Sequence, residues 1–270
     1  MGVLVRLLHA DLRVRRAGGA VPRTRSRSGR RSVGVVGDAG RRWGAVLPGH
    51  RRLHGDVDAA DPRLTAAVAG AGLASVSITY LLRHGRTALS AAHITNGDPT
   101  RRIALDDVGL RQCHLVALTA GWLDTIATSV TSRFLRTQQT ADLVLGERLV
   151  QRVVEPDLDE IDYGCFEGGP WTDYGTWLRE QGSTSVPPCG GESWDGAVDR
   201  LLAGLTNCLT HPGPRLVVAH GLLVSVVRAL HGPDEPVDGS ALPEAPYVDP
   251  VILTDTELAE LAHRRRTRRN

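Results

Sequence analysis

Two histidines and a set of arginines carry most of the chemistry available to this sequence. Arg83-His84-Gly85 follows the apolar run Ile78-Thr79-Tyr80-Leu81-Leu82, and His220-Gly221 follows Leu216-Val217-Val218-Ala219. A neutral imidazole is a nucleophile, and a protonated one donates hydrogen bonds and positive charge. Arginine keeps its charge and offers a planar fork that matches phosphate oxygens. Two imidazoles and an arginine together therefore point to phosphoryl transfer through a histidine nucleophile. All 32 basic residues are arginine, so a phosphate site in this chain must be built from guanidinium groups.

The elements that would position these groups are strands. Ligands bind at the C-terminal edge of an open α/β sheet, and two strands that each end in histidine bring both imidazoles to that edge. Strands are expected over 76–82, 126–131, 152–155, 216–219 and 250–254. Helices are expected over 107–122, 135–149, 193–210 and 222–230, the third with Ser193 as its N-cap. The inward face of the first helix is read as Val108, Leu115, Ala117, Leu118 and Trp122. Strands alternating with helices imply an α/β fold, a three-layer αβα sandwich around a mostly parallel central sheet.

The pattern around His84 extends down the chain. Leu81-Leu82-Arg83-His84-Gly85-Arg86-Thr87 resembles the signature of the histidine phosphatase superfamily, the phosphoglycerate-mutase-like enzymes. Five further segments are similar to family motifs and come in the same order: 105–112, 131–141, 158–168, Gly190-Gly191-Glu192-Ser193 and Val218-Ala219-His220-Gly221. The resemblance covers 78–221, fades after about 232 and does not include 1–74.

The resemblance implies a role for each matched residue. His84 takes the phosphoryl group as a phosphohistidine. Arg83 and Arg136 clamp its oxygens, and His220 gives an equatorial oxygen a hydrogen bond or a positive charge. Glu160 protonates the leaving alcohol and then activates water. Thr87, Ser90, Asn96 and Gly221 complete the phosphate pocket, with no metal and no cofactor. Glu160 sits among Asp157, Asp159 and Asp162, and spacing alone does not single it out; the family pattern does, with Glu167 as the runner-up and otherwise a pairing residue. The chain departs from the pattern at Ser90, where relatives carry Asn, and Asn96 is the residue that could substitute. It departs again at Arg86, read either as solvent-facing or as positive charge at the pocket mouth.

The activity implied is a metal-independent phosphomonoester phosphatase. A phosphoglycerate-mutase-type transferase and a protein-phosphohistidine phosphatase are the alternatives. Only 29 residues separate Glu160 from Gly190, where cofactor-dependent mutases of the superfamily carry a longer insertion, and this favours hydrolysis. Tyr163, Phe166, Trp171, Tyr174, Trp177 and Trp194 are 6 of the 11 aromatic residues. Trp171, Tyr174 and Trp177/Leu178 recur at helical spacing, either seating a small helix or forming a lid that shapes substrate choice.

Composition bounds the remaining classes. The net charge is +2 over 270 residues, but arginine concentrates in 1–75 and 264–270 while 76–263 is acidic. Residues 1–74 read as an Arg/Gly-rich disordered extension, 75–256 as the histidine phosphatase domain, and 257–270 as a helix end with a solvated basic tail. The basic stretches lack interleaved aromatics, so no nucleic-acid partner is expected. No membrane span is expected either. A small phosphomonoester is the expected partner, and a homodimer is left open. Cys113, Cys165, Cys189 and Cys208 show no C-x-x-C spacing, so neither a disulfide framework nor a zinc site is expected, and a reducing, cytoplasmic setting fits.

Overall fold

The computed structural model describes residues 77–232 and 237–268; the extension read over 1–74 lies outside the described residues. Five strands form one sheet: β1 (Ile78–Arg83), β2 (Thr128–Thr131), β3 (Gln151–Val154), β4 (Arg215–Ala219) and β5 (Val251–Thr254). Their spatial order is β3-β2-β4-β1-β5. The first four are mutually parallel, and β5 runs antiparallel to β1 at the edge. The fold is therefore α/β with a mostly parallel sheet, as the alternation implies.

Seven α-helices are described: α1 (Ala88–Ala91), α2 (Asp107–Thr119), α3 (Leu135–Leu145), α4 (Trp171–Gln181), α5 (Trp194–Asn207), α6 (Gly221–His231) and α7 (Asp255–Thr267). The pleat of the central strands sorts them onto two faces. Leu81, Val217 and Ala219 point into one buried cluster, which takes Leu201 and Leu205 of α5, Leu223 and Val227 of α6, and Leu258 and Leu261 of α7. Leu82, Leu216 and Val218 point the other way and meet Cys113 of α2 with Ala141, Val144 and Leu145 of α3. Both faces of β1 and β4 are thus covered, which accounts for near-continuous apolar runs in place of alternation.

Several expectations are corrected. α2 is rotated from the expected face: Leu115 and Leu118 are exposed, while Gly109 and Cys113 are its buried residues. Gly109 is required there, because a Cβ would lie 2.1 Å from the Arg86 carbonyl oxygen. The third expected strand begins one residue early, and α3 stops at Leu145, where Gly146 takes a positive φ of 55° as the C-cap. Ser193 does cap α5, accepting from the Gly196 N–H.

The described part of the C-terminal basic run, 264–268, is not a solvated tail. It completes α7, whose capping box is formed by Thr254 and Glu257, so the boundary placed at 256 falls inside a helix. Arg265 is buried, ion-paired with Asp195 and stacked over Trp194 with its guanidinium carbon 5.0 Å from the ring centroid. Cys165 and Cys189 form a disulfide with Cα atoms 5.5 Å apart, which overturns the expectation of unpaired cysteines and removes the support it lent to a reducing compartment. Among the described residues no helix is long and apolar enough to cross a membrane.

Candidate active site

The sheet register places the two histidines. Arg83 of β1 is the direct partner of Ala219 of β4, so the next residue of each strand leaves the sheet at the same point. The His84 N–H donates to the Ala219 carbonyl at 3.0 Å, and the rings of His84 and His220 lie 5.4 Å apart in an edge contact. β2, on the other side of β4, ends one residue before the fully buried Ser132, and the first turn of α3 carries Arg136 into the space between the imidazoles. Thr140 of α3 accepts the Gly85 N–H at 2.9 Å and fixes the loop after His84.

The hydrogen bonds of His84 determine its tautomer. Its Nδ1 lies 2.8 Å from the Gly85 carbonyl oxygen, which can only accept, so the ring proton sits on Nδ1. Its Nε2 lies 3.1 Å from Arg136 Nε, which can only donate, so Nε2 presents its lone pair. Burial, followed by the charges of Arg136 and Arg83, holds the His84 pKa well below the ordinary 6.5. His84 is therefore a neutral imidazole whose unprotonated Nε2 accepts from Arg136.

His220 has the opposite tautomer. Arg136 Nη2 donates to its Nδ1 at 3.1 Å, so Nε2 carries the proton and donates to Ser132 Oγ at 2.8 Å. Ser132 Oγ in turn donates a hydrogen bond to Thr137 Oγ1 at 2.9 Å, and Thr137 donates to the Phe134 carbonyl. Burial, followed by Arg136 and His84, lowers the His220 pKa well below 6.5. His220 as found accepts from the cradle and does not donate into it; it becomes a donor there only by taking a second proton at Nδ1. Ser132, which lies inside a motif but is not singled out by the sequence, supplies the acceptor that fixes this tautomer.

Arg136 is buried and lies over the Phe134 ring, its guanidinium carbon 4.2 Å from the centroid. Its remaining donors reach Asn96 Oδ1 at 2.6 Å and the Asn96 carbonyl at 2.9 Å. Burial lowers its pKa to about 10, with Glu160 opposing the fall, so it is charged at neutral pH. Arg83 is buried too. Its Nη1 donates to Glu244 Oε1 at 2.7 Å and to the Ala245 carbonyl at 2.6 Å, and Tyr247 covers it with its ring centroid 3.9 Å away. Arg83 Nε is buried with no hydrogen-bond partner among the described residues. Gly221 leaves room beside it, since a Cβ there would stand 3.4 Å from that nitrogen.

Glu160 enters from the loop after β3. Its Oε1 accepts the Ile161 N–H at 3.0 Å, and its Oε2 stands 4.0 Å from His220 Nδ1, too far for a hydrogen bond. Burial raises its pKa above the ordinary carboxylate value, against the pull of Arg136. Gly97 lets the Asn96 loop approach this segment, because a Cβ there would sit 1.9 Å from the Ile161 carbonyl oxygen. Nearby acids take other partners. Asp159 holds Arg133, and Glu167 holds the Gly97 N–H and Arg101, the pairing role read for it.

The rim differs from expectation in two places. The Ser90 hydroxyl donates to the Thr87 carbonyl and accepts the Thr87 N–H, while Thr87 Oγ1 accepts the Ser90 N–H. Both hydroxyls thus serve the start of α1, and Asn96 is the polar side chain bonded to the cradle. Arg86 is bound to Asp106 at 2.9 Å, and it adds no charge to the pocket mouth.

Arg83, His84, Asn96, Arg136, Glu160 and Gly221 line one cavity of about 360 Å³ together with Thr87 and Ser90. His220 lies directly behind it, bonded to Arg136. A neutral nucleophile, two guanidinium groups and a carboxyl group disposed to hold a proton are the parts that phosphoryl transfer requires.

The model of the histidine phosphatase superfamily (branch 1) matches residues 79–237. A Yersinia pestis protein named "Probable phosphoglycerate mutase GpmB" is 31% identical over 151 residues, which cover 53% of this chain and 69% of that one. Among solved structures, Mycobacterial hydrolase 1 superposes with a TM-score of 0.54 at 20% identity, over 67% of this chain and 93% of its own. Bacillus stearothermophilus YhfR superposes with a TM-score of 0.52 at 24% identity, over 65% and 89%.

Proposed function

Because this chain belongs to the histidine phosphatase superfamily (branch 1), we propose that it is a metal-independent phosphomonoester hydrolase working through a phosphohistidine on His84. The observation that carries the reading is the tautomer of His84, with Nε2 unprotonated and held beside Arg136. In the first half-reaction His84 Nε2 forms a bond to phosphorus as the phosphorus–oxygen bond to the alcohol breaks. Glu160 gives its proton to the departing oxygen. In the second, water attacks phosphorus, Glu160 takes a proton from it, and the phosphorus–nitrogen bond breaks to release phosphate. Arg136 and Arg83 hold the phosphoryl oxygens throughout. His220 takes up a proton at Nδ1 when the dianion arrives, because the added negative charge offsets the effect of burial.

The relative named as a phosphoglycerate mutase supports a second reading, transfer of the phosphoryl group to another hydroxyl. The products distinguish the two. A panel of phosphomonoesters, assayed with chelator present, should release inorganic phosphate with wild-type protein and none above background with His84→Ala. Turnover that moves phosphate between hydroxyls without releasing it would replace hydrolysis by the mutase reading. Full activity of His84→Ala would remove both.

A further inference from the structure

The cavity has two ends of different chemistry. The cradle gathers the arginines, and the wall beyond it is mostly apolar and aromatic, with Ile94, Trp171, Leu178, Leu222, Leu242 and Pro243 beside the polar His93, Ser225 and Ser240. Among the described residues that line the cavity, Arg83 and Arg136 are the only arginines, and both belong to the cradle. The phosphatase reading gives both to the phosphoryl group, and Nη1 of Arg83 is further held by Glu244 and the Ala245 carbonyl. Glu244 also lines the cavity, with a side chain 42% exposed. A substrate with a carboxylate in its alcohol part would bring that charge towards Glu244 and leave water for an apolar wall. Like-charge repulsion and uncompensated desolvation act together against it. A neutral, apolar alcohol part meets neither penalty and gains from burial.

We propose that the site selects phosphomonoesters of neutral, largely apolar alcohols, and that Glu244 is the specificity residue that turns away carboxylate-bearing ones. This rests on the phosphatase reading. Two features of the structure separate it from a purely supporting role for Glu244. The Ala245 carbonyl already accepts from the same Arg83 nitrogen, and Glu244 is far more exposed than the guanidinium it pairs with, 42% against 3%. A group needed only to orient Arg83 would act equally on all substrates. A charge facing the alcohol part acts on some and not on others.

The test is a matched set: 3-phenylpropyl phosphate, its para-carboxylate and its para-aminomethyl analogue. The substituents lie far from the ester oxygen and leave the alcohol equally poor as a leaving group. Wild-type kcat/KM should be at least about tenfold lower for the carboxylate than for the neutral ester, with the cationic analogue between them. Lengthening a neutral alkyl chain should raise kcat/KM roughly fourfold per methylene until the wall is filled. Glu244→Gln keeps the hydrogen bond to Arg83 and removes the charge. It should raise the carboxylate-to-neutral ratio of kcat/KM about tenfold, whatever it does to both values together. Wild-type protein that handles the carboxylate as well as the neutral ester overturns the proposal, as does a ratio unmoved by Glu244→Gln. Wild-type protein that turns over none of the three overturns the phosphatase reading instead.

Discussion

Replacing Glu160 by Gln should separate substrates by the quality of their leaving group. The amide fills the same space and can still accept the Ile161 N–H, so cavity and fold are retained. What it lacks is a proton to give. In the wild type Oε1 is held by that N–H and Oε2 faces His220 Nδ1 at 4.0 Å, so Oε2 is the oxygen that would carry the proton. The side chain is 11% exposed, and bulk water has little access to replace it as a donor. The loss for an alkyl phosphate should therefore sit high in the range for general acid catalysis, about 10³–10⁴-fold in kcat/KM. For p-nitrophenyl phosphate, whose leaving anion needs no proton, the fall should stay under about tenfold. The ratio must be read in kcat/KM, which reports transfer to His84, because Glu160 also serves the water step and kcat falls for both substrates. A burst of p-nitrophenolate followed by slow turnover is the accompanying signature. Because burial raises the Glu160 pKa, wild-type kcat/KM for the alkyl ester should decline as pH rises through that value, and Glu160→Gln should lack the decline. Equal slowing of both esters, or an unchanged pH limb, would refute the assignment.

Other outcomes follow from the same geometry. Ser132→Ala leaves the His220 Nε2–H and the Phe134 N–H without their acceptor; it should cost roughly 1–3 kcal/mol of stability and lower kcat with little change in KM, and wild-type kcat would contradict the orienting role. The folded-state pKa values of His84 and His220 lie below 6.5, so below that pH the unfolded chain takes up protons the folded one refuses. Stability is then full above 6.5 and falls with acidification by about 1.4 kcal/mol per pH unit for each imidazole; His84→Asn should flatten urea-unfolding stability against pH by one such increment, and an unchanged slope would contradict a buried neutral ring. Reducing the Cys165–Cys189 bond, which closes a separation of 24 residues, should cost about 3 kcal/mol and lower Tm by on the order of 10 °C, while a Tm insensitive to reductant in the wild type, as in Cys165→Ser, would exclude the cross-link.

What the sequence disclosed and what it hid divide along physical lines. β1 and β4 were legible because strands buried on both faces read as unbroken apolar runs, and their shared ending in histidine forced both rings to one edge. Arg136 and Glu160 needed the wider motif, since surface arginines at helix starts and clustered acids are common. Ser132 was visible in that motif but looked like any loop hydroxyl; only the tautomer of His220 reveals its use. Glu244 lies past the point where the resemblance fades and reaches Arg83 across 161 positions, a distance no local pattern spans. Arg265 was hidden inside a basic run whose charge argued for solvent, although the partner that buries it, Asp195, lies 70 positions away. Cys165 and Cys189 meet because Gly164 takes a positive φ and would clash with the Gly190 carbonyl oxygen if it bore a Cβ, a turn that cysteine spacing does not announce. The face of α2 does not follow its leucines, because close approach to the Arg86 backbone requires Gly109 there.

The most direct measurement is rapid-quench trapping of the enzyme during turnover of a phosphomonoester labelled on phosphorus, followed by localisation of the label under alkaline conditions that preserve phosphohistidine. One acid-labile, alkali-stable phosphoryl group per chain is expected, on Nε2 of His84, accumulating in Glu160→Gln. Label on another side chain, or turnover with no labelled protein at any time point, would contradict it.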